Sequence, residues 1–526
     1  MNGTDARRAG RREWIGLAVL TLPAMLISMD LTVLHLAVPA LSAELRPSSS
    51  QLLWIVDIYG FMIAGSLITM GTLGDRIGRR RLLLIGAAAF AVASVLAAFS
   101  TSAEMLIVTR ALLGVAGATL MPSTMSLLRT MFLDPSQRTV AIGMWISSFS
   151  VGAAIGPLVG GILLEYFWWG SVFLLGVPVM ALLLTAGPVL LPEYRDPEAG
   201  RLDLLSAGLS LASVLAVIYG VKQIAEHGLS DLPVLSILAG LAAGLVFLAR
   251  QRTLADPFVD VSLFANRRFS ASLATNAVGI FAIFGVYLFI PQYYQLVAGL
   301  SPFEAGLLTV PGAIVSIAGS MLAPVLARRF QTGTVVCAGL VVAVVGFGLL
   351  TVVDTASLVT VVTSCVIMMI GFGLVVTLTV DMIVAAAPEE RAGAASAISE
   401  TGSELGGALG IAILGSIGTA VYRREVADAI PAAVPIEAAV AASDTLGGAV
   451  GAASQLSDQL SLALLDASRT AFVGGFQLVA ICGVAIMIGL TVLAGLWLRQ
   501  EQAAPETEAQ PAILSDRLVV ECGCAR

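Results

Sequence analysis

The chain has 526 residues, is 58% hydrophobic and only 12% charged, with a mean hydropathy of +0.94; a soluble domain carries roughly twice that charged fraction, so most of this surface must face lipid. Its 28 basic and 35 acidic residues give a net charge of −7, which argues against nucleic acid as a partner. No G-x-x-x-x-G-K-[ST] phosphate loop, HExxH or GxSxG pattern occurs, and two histidines leave little material for hydrolysis; the expectation is a membrane protein that is not an enzyme, uses no cofactor or metal, and draws on an ion gradient, on substrate flow or on a partner subunit.

In chain order, Arg7, Arg8, Arg11 and Arg12 of a basic tail at 1–14 precede an apolar run too long for a cleavable signal. A bilayer-spanning helix needs about 20 mainly apolar residues. That ruler gives fourteen spans, at 15–41, 52–74, 82–100, 103–127, 139–164, 168–191, 204–222, 232–249, 269–296, 303–327, 333–353, 357–387, 395–422 and 470–498. With the N-terminus inside, 22 of the 28 basic residues fall in inner segments, 5 in outer ones, Lys222 among them, and Arg110 lies inside a helix. That bias predicts a cell-membrane protein with both termini cytoplasmic.

The fold class expected is an all-α polytopic membrane protein with two six-helix bundles, 15–191 and 261–499, and an inserted helix pair in the linker 192–260. The inserted pair has no acidic residue in its apolar core and reads as lying outside any pathway. The long outer segment 423–469 is Ala-rich with scattered acids and reads as a solvated helical hairpin rather than a lid. Residues 500–526 read as a polar, disordered cytoplasmic tail. Cys337, Cys365 and Cys482 lie in apolar runs and read as packing residues, while Cys522 and Cys524 in the tail have no zinc-ligand partners.

Ionisable residues inside spans are costly and usually functional. Here they are Asp30 and His35 in span 1, Asp57 in span 2, Arg110 in span 4, Asp381 in span 12, and Glu400 and Glu404 in span 13. At about 1.5 Å per residue, Asp30 and Asp57 fall in the outer half of the membrane. Glu400 and Glu404 lie nearer the inner end, one turn apart on one face, an arrangement suited to exchanging protons. The competing expectations are that Arg110 or a backbone donor satisfies Asp30 or Asp57, and that the two glutamates mark a solvated helix end. His35 is either a proton relay or a packed neutral histidine, and Asp381 is either structural or functional. Trp54, Tyr59, Phe61, Trp145 and Phe149 are candidates for an aromatic wall.

Two glycine ladders allow close helix approach: Gly152, Gly156, Gly160 and Gly161, bent by Pro157, and Gly402, Gly406 and Gly410 beside the two glutamates. A compact basic loop joins spans 2 and 3, with Gly71, Gly74, Asp75, Arg76, Gly78, Arg79, Arg80 and Arg81.

These segments together resemble the major facilitator superfamily, in its fourteen-span drug:H⁺ antiporter branch, and are most similar to quaternary-ammonium and methyl-viologen efflux pumps. The resemblance covers residues 14–499. It rests on the Gly71 to Arg81 loop, the Gly152 to Gly161 antiporter motif, Arg110 in Thr-Arg-Ala-Leu-Leu-Gly114, and Met29-Asp30 to Pro39. It implies that the loop latches a cytoplasmic gate, that Arg110 takes part in proton coupling, and that Asp30, Asp57, Glu400 and Glu404 bind protons or attract a cation. The function implied is proton-coupled efflux of lipophilic cationic drugs or dyes by alternating access, by a monomer in the lipid bilayer. Export of a self-made antibiotic or neutral metabolite is the alternative, and proton-coupled nutrient symport the less favoured one. Where some such pumps carry an acidic residue in span 10, this chain has Ser316, which weighs against a preference for dications.

Overall fold

The computed structural model describes residues 8–195, 203–254, 257, 259–387 and 392–498. The tail 500–526, with its two cysteines, lies outside the described residues, as do 1–7 and the middle of the 192–203 connection. No strand occurs among the described residues, and fourteen helices are long and apolar enough to cross a membrane.

The first six are α1 (Arg11–Leu45), α2 (Ser49–Ile77), α3 (Arg79–Ala98), α4 (Ala103–Met131), α5 (Pro135–Tyr166) and α6 (Ser171–Leu190). The inserted pair is α7 (Leu204–His227) and α8 (Asp231–Gln251). The second six are α9 (Arg267–Val297), α10 (Pro302–Arg329), α11 (Thr332–Leu350), α12 (Leu358–Ala385), α13 (Ala392–Ala429) and α14 (Asp458–Trp497). Every expected span is present as a helix.

Local signals start these helices where the sequence puts them. The Ser48 and Ser301 hydroxyls accept from the backbone amides of Gln51 and Glu304, whose side chains accept in return from the cap amides, and Asp134 and Asp203 cap α5 and α7. Each cap satisfies amides that a helix start leaves orphaned. Prolines inside α1, α4, α5, α6 and α10 bend helices whose backbone must otherwise be bonded within the segment.

Packing then sorts the helices into two bundles. In the first, α1 lies on α5, α2 on α4, and α3 on α4 and α6; in the second, α9 lies on α13, α10 on α12, α11 on α12 and α14, and α13 on α14. Leu20, Leu83, Leu106 and Phe132 are fully enclosed in the first, and Val336, Phe347, Met368 and Phe476 in the second. Around the perimeter, Val92, Val108, Ile314 and Met321 are exposed, as a lipid-facing surface requires. The halves touch along two seams, α2 with α13 and α5 with α10.

Two expectations are corrected. The segment 423–469 is not a solvated hairpin. α13 continues to Ala429, α14 starts at Asp458, and two short helices, Ile436–Asp444 and Leu446–Ala453, lie between them. Leu446, Ala449 and Ala453 are buried, Ser49 donates to the Asp444 carbonyl at 2.5 Å, and the Tyr422 hydroxyl donates to that of Ala442. Alanine favours helix, and small side chains let this layer lie flat against the end of α1. Burial raises the Asp444 carboxyl above its ordinary range, against the opposing pull of Arg423.

The second correction concerns the inserted pair. Lys222 belongs to no loop: it lies inside α7, with no side-chain exposure. α7 packs against both α2 and α13, covering the seam between them, so the pair is fastened to the bundles by a buried charge.

Candidate functional site

Arg110 is the largest fully buried side chain of the first half. Its Nη1 lies 2.5 Å from the Asp30 carboxylate, its Nε donates to the Ile55 carbonyl at 3.2 Å, and its guanidinium stands 4.6 Å from the Tyr59 ring and 5.7 Å from that of Phe173. One cation thus ties α1, α2, α4 and α6. A guanidinium serves here because its planar fork donates in two directions while its face lies on an aromatic ring. Asp30 faces this interior, beside Phe90, Ser94 and Phe173. The Tyr59 hydroxyl is buried with no hydrogen-bond partner.

Asp57 is equally enclosed and equally paired. Its two oxygens lie 2.9 and 2.7 Å from the Lys222 ammonium, which rests 3.8 Å from the centroid of Trp54. The first half therefore holds two carboxylates, each with its own buried cation.

The second half differs. Glu400, Glu404 and Ala408 recur at four-residue steps and share one face of α13. A Cβ on Gly60 of α2 would stand 3.3 Å from that of Ala408, so this face is turned towards the first half. Both glutamates are half-buried, and neither has a hydrogen-bond or ion-pair partner among the described residues. Asp381 is exposed at the end of α12 and joins none of these groups.

Between the halves lies a cavity of about 370 Å³, lined from α1, α5, α9, α10 and α12. Its walls include Leu31, Phe149, Phe284, Tyr287, Tyr294 and Phe372, with His35, Ser316 and Cys365 as polar points. His35 is buried with an unpartnered Nδ1, edge-on to Tyr287 at 5.6 Å. Trp145 backs Phe149 at 4.9 Å. Of the aromatic candidates, Phe149 reaches the cavity; Trp54 covers Lys222, and Phe61 packs with Ile218 and Ala408. Cys365, expected to be mere packing, meets the Tyr294 hydroxyl at 3.8 Å on the cavity wall.

Tyr287 and Tyr294 carried no sequence signal beyond being aromatic. Tyr287 ends the regular part of α9, and Tyr294 lies in a π-helical turn, Tyr293–Val297, an irregularity common at functional sites. The turn is held by Tyr293 to the Asp354 carbonyl, by Arg469 to that of Leu296, and across the halves by Gln295 to that of Leu36 at 3.0 Å.

The α5 ladder has two faces. A Cβ at Gly156 would strike the Thr32 hydroxyl and stand 3.3 Å from the Met29 Cα, both on α1. A Cβ at Gly161 would stand 2.9 Å from the Phe303 Cα and the Pro302 carbonyl, across the seam. Gly152 and Gly160 share the α1 face, and Gly306 of α10 packs on the Pro157 carbonyl. Gly406 and Gly410 stay within the second half, against Ala277 and Phe281.

At the basic end, Asp75 pairs with Arg79 at 2.6 Å. Arg80 donates to the carbonyls of Pro188 and Leu191 and meets Glu193, and Arg12 bonds the Val189 carbonyl. These bonds all stay within the first half. Gly78 has φ +111° and faces the Glu193 carboxylate; the left-handed conformation favours glycine there. Arg76 is exposed, and Gly71 and Gly74 lie on the last turns of α2.

The Major Facilitator Superfamily family model matches residues 20–411. A multidrug efflux pump, LfrA, of Mycolicibacterium smegmatis is 44% identical over 94% of this chain and 98% of its own length. The methyl viologen resistance protein SmvA of Salmonella typhimurium is 35% identical over 92% and 98%. The tetracenomycin C resistance and export protein of Streptomyces glaucescens is 30% identical over 98% and 97%. Among solved structures, a bacterial homolog of the human lysosomal transporter Spinster, inward-facing and unoccupied, superposes with a TM-score of 0.64 at 18% identity, covering 94% of this chain and 98% of that one.

Proposed function

Because the chain belongs to the Major Facilitator Superfamily, we propose that it is a multidrug efflux carrier of the cell membrane, exchanging protons for lipophilic, mainly cationic compounds by rocking its halves about the central cavity. The efflux and export roles of its long-range relatives support this reading. The observation that carries the coupling is the division of carboxylates. Asp30 and Asp57 each hold a buried cation, whereas Glu400 and Glu404, on the face turned to the other half, have no ion-pair partner among the described residues. A carboxylate with no fixed partner can take a proton in one state and face a cation in the other.

The basic bias of the loops supports placing the N-terminal end in the cytoplasm. In that orientation the contacts of Gly161 with Phe303 and of Ser49 with Asp444 close the outer end, and the cavity faces inward. Among the described residues, the bonds of Asp75, Arg79 and Arg80 lie at this inner end, where the Gly71 to Arg81 loop would act as the latch.

The test is ethidium efflux from intact cells with and without a proton uncoupler. Efflux is expected to stop with the uncoupler and to fall by about a hundredfold or more in Glu404→Gln, the scale of one lost acid–base group. Uncoupler-insensitive efflux removes the antiport reading; wild-type efflux by the variant removes the role of Glu404.

A second reading, export of a neutral aromatic metabolite, has one observation in its favour: the cavity wall includes no Asp, Glu, Lys or Arg among the described residues. Faster clearance of uncharged polyaromatic compounds than of ethidium, in the same cells, selects it.

A further inference from the structure

α7 runs along the seam between α2 and α13 and buries Ile218 against Phe61, Ala408 and Ala412. One turn apart, it carries two charges that reach opposite halves. Lys222 binds Asp57 of α2 at 2.7 and 2.9 Å, with neither side chain exposed. Glu226 meets Arg423 of α13 at 3.7 Å, and that guanidinium is 28% exposed and lies 3.6 Å from Asp444. The two contacts are unequal. A fully buried ion cannot be left without its partner except at high cost, whereas a longer pair whose side chains are 10% and 28% exposed is weaker.

Protonating Asp57 would leave the Lys222 ammonium enclosed, with only the Trp54 face for company. Asp57 therefore cannot gain and lose a proton each cycle while α7 stays in place. We infer that Lys222 is a positioning residue: it keeps Asp57 as a standing ion pair, fastens the inserted helices to the first half, and leaves proton exchange to the second half. When the halves part at this end, α7 stays on α2, and the Glu226–Arg423 contact is the one that opens. The inference takes its transport readout from the efflux reading above.

The single variants Asp57→Leu and Lys222→Met each orphan a buried charge and are expected to lower ethidium efflux by about tenfold or more. Replacing both removes both charges at similar volume, which proteins often tolerate. The double variant is expected to recover efflux to within about threefold of wild type, with the proton-to-ethidium ratio in reconstituted vesicles unchanged. A folded double variant as inactive as Asp57→Leu overturns the inference, since the carboxylate itself is then required; so does wild-type efflux by Lys222→Met.

A cross-link tests the fastening with both charges intact. A Cβ on Gly65 would stand 3.6 Å from that of Leu211, within disulfide reach. With the five native cysteines replaced, oxidised Gly65→Cys/Leu211→Cys protein is expected to transport as well as reduced protein. Transport lost on oxidation and regained on reduction overturns the inference. Melting temperatures separate this from a failure of the efflux reading: lowered in both singles and restored in the double, they support the standing pair whatever is transported.

Discussion

Arg110→Ala is expected to abolish dye efflux and to lower the melting temperature. The substitution strips Asp30 of its cation, leaves the Ile55 carbonyl without its side-chain donor, and opens a void over Tyr59 and Phe173. Breaking a buried ion pair by deleting one partner costs about 3–5 kcal/mol, which at 1.4 kcal/mol per tenfold is roughly a hundredfold to a few thousandfold. Arg110→Lys should not rescue it. An ammonium at the end of a flexible stem lacks the planar fork that serves a carboxylate on α1 and a carbonyl on α2 together. The measurement is ethidium efflux beside thermal unfolding of purified protein. A lysine variant retaining half of wild-type efflux would show that charge alone matters, and the geometric argument would fail.

Valine at two positions of one glycine ladder should break the protein in two different ways. Gly156 faces Met29 and Thr32 inside the first half, so Gly156→Val wedges α5 off α1. Overpacking of this kind costs about 1–3 kcal/mol, and lower yield and melting temperature are expected. Gly161 faces the Phe303 and Pro302 backbone of the other half. Gly161→Val leaves each half intact but prevents their approach at that end, so the variant should fold normally and transport nothing. In a cysteine-free background, a cysteine at Leu300, beside that contact in sequence, should react with a water-soluble maleimide about tenfold faster in Gly161→Val than in its parent, as expected when 1–2 kcal/mol of closure is lost. Equal labelling, or a melting temperature lowered as far as in Gly156→Val, would show that the seam contact is not what the glycine protects.

Much of this was legible in the sequence because bilayers impose simple rules. Length and hydropathy gave every span, and spacing gave the α5 ladder, although not that its residues divide between an internal face and a seam. Pairing of Asp30 with Arg110 was one of two readings open for that carboxylate, since a lone arginine in an apolar span must find an anion. Lys222 was misplaced for a physical reason. It sits at the edge of a hydrophobic window, where a basic residue looks the same whether it ends a helix or lies within one, and its partner is 165 positions away. The outer segment was misread because alanine-rich helices with scattered acids look alike in solvent and laid flat on a bundle. Tyr294 was invisible as a site residue because a π-turn, which no local pattern announces, sets its direction, and Tyr287 because nothing in the sequence says which face of α9 meets the cavity.

The inserted helices make the two flanks of the molecule unequal. A carrier made of two lobes has two long seams through which a membrane-dissolved compound can slip sideways into its interior. Here α7 roofs the seam of α2 and α13, and among the described residues the inserted pair packs chiefly on that side. The cavity lies towards the unroofed side, with Phe149, Ala153 and Pro157 on one lip and Gly312, Ala313 and Ser316 on the other. An amphiphile diffusing in the leaflet therefore meets the inserted helices on one flank of the molecule and the directly packed α5–α10 seam on the other.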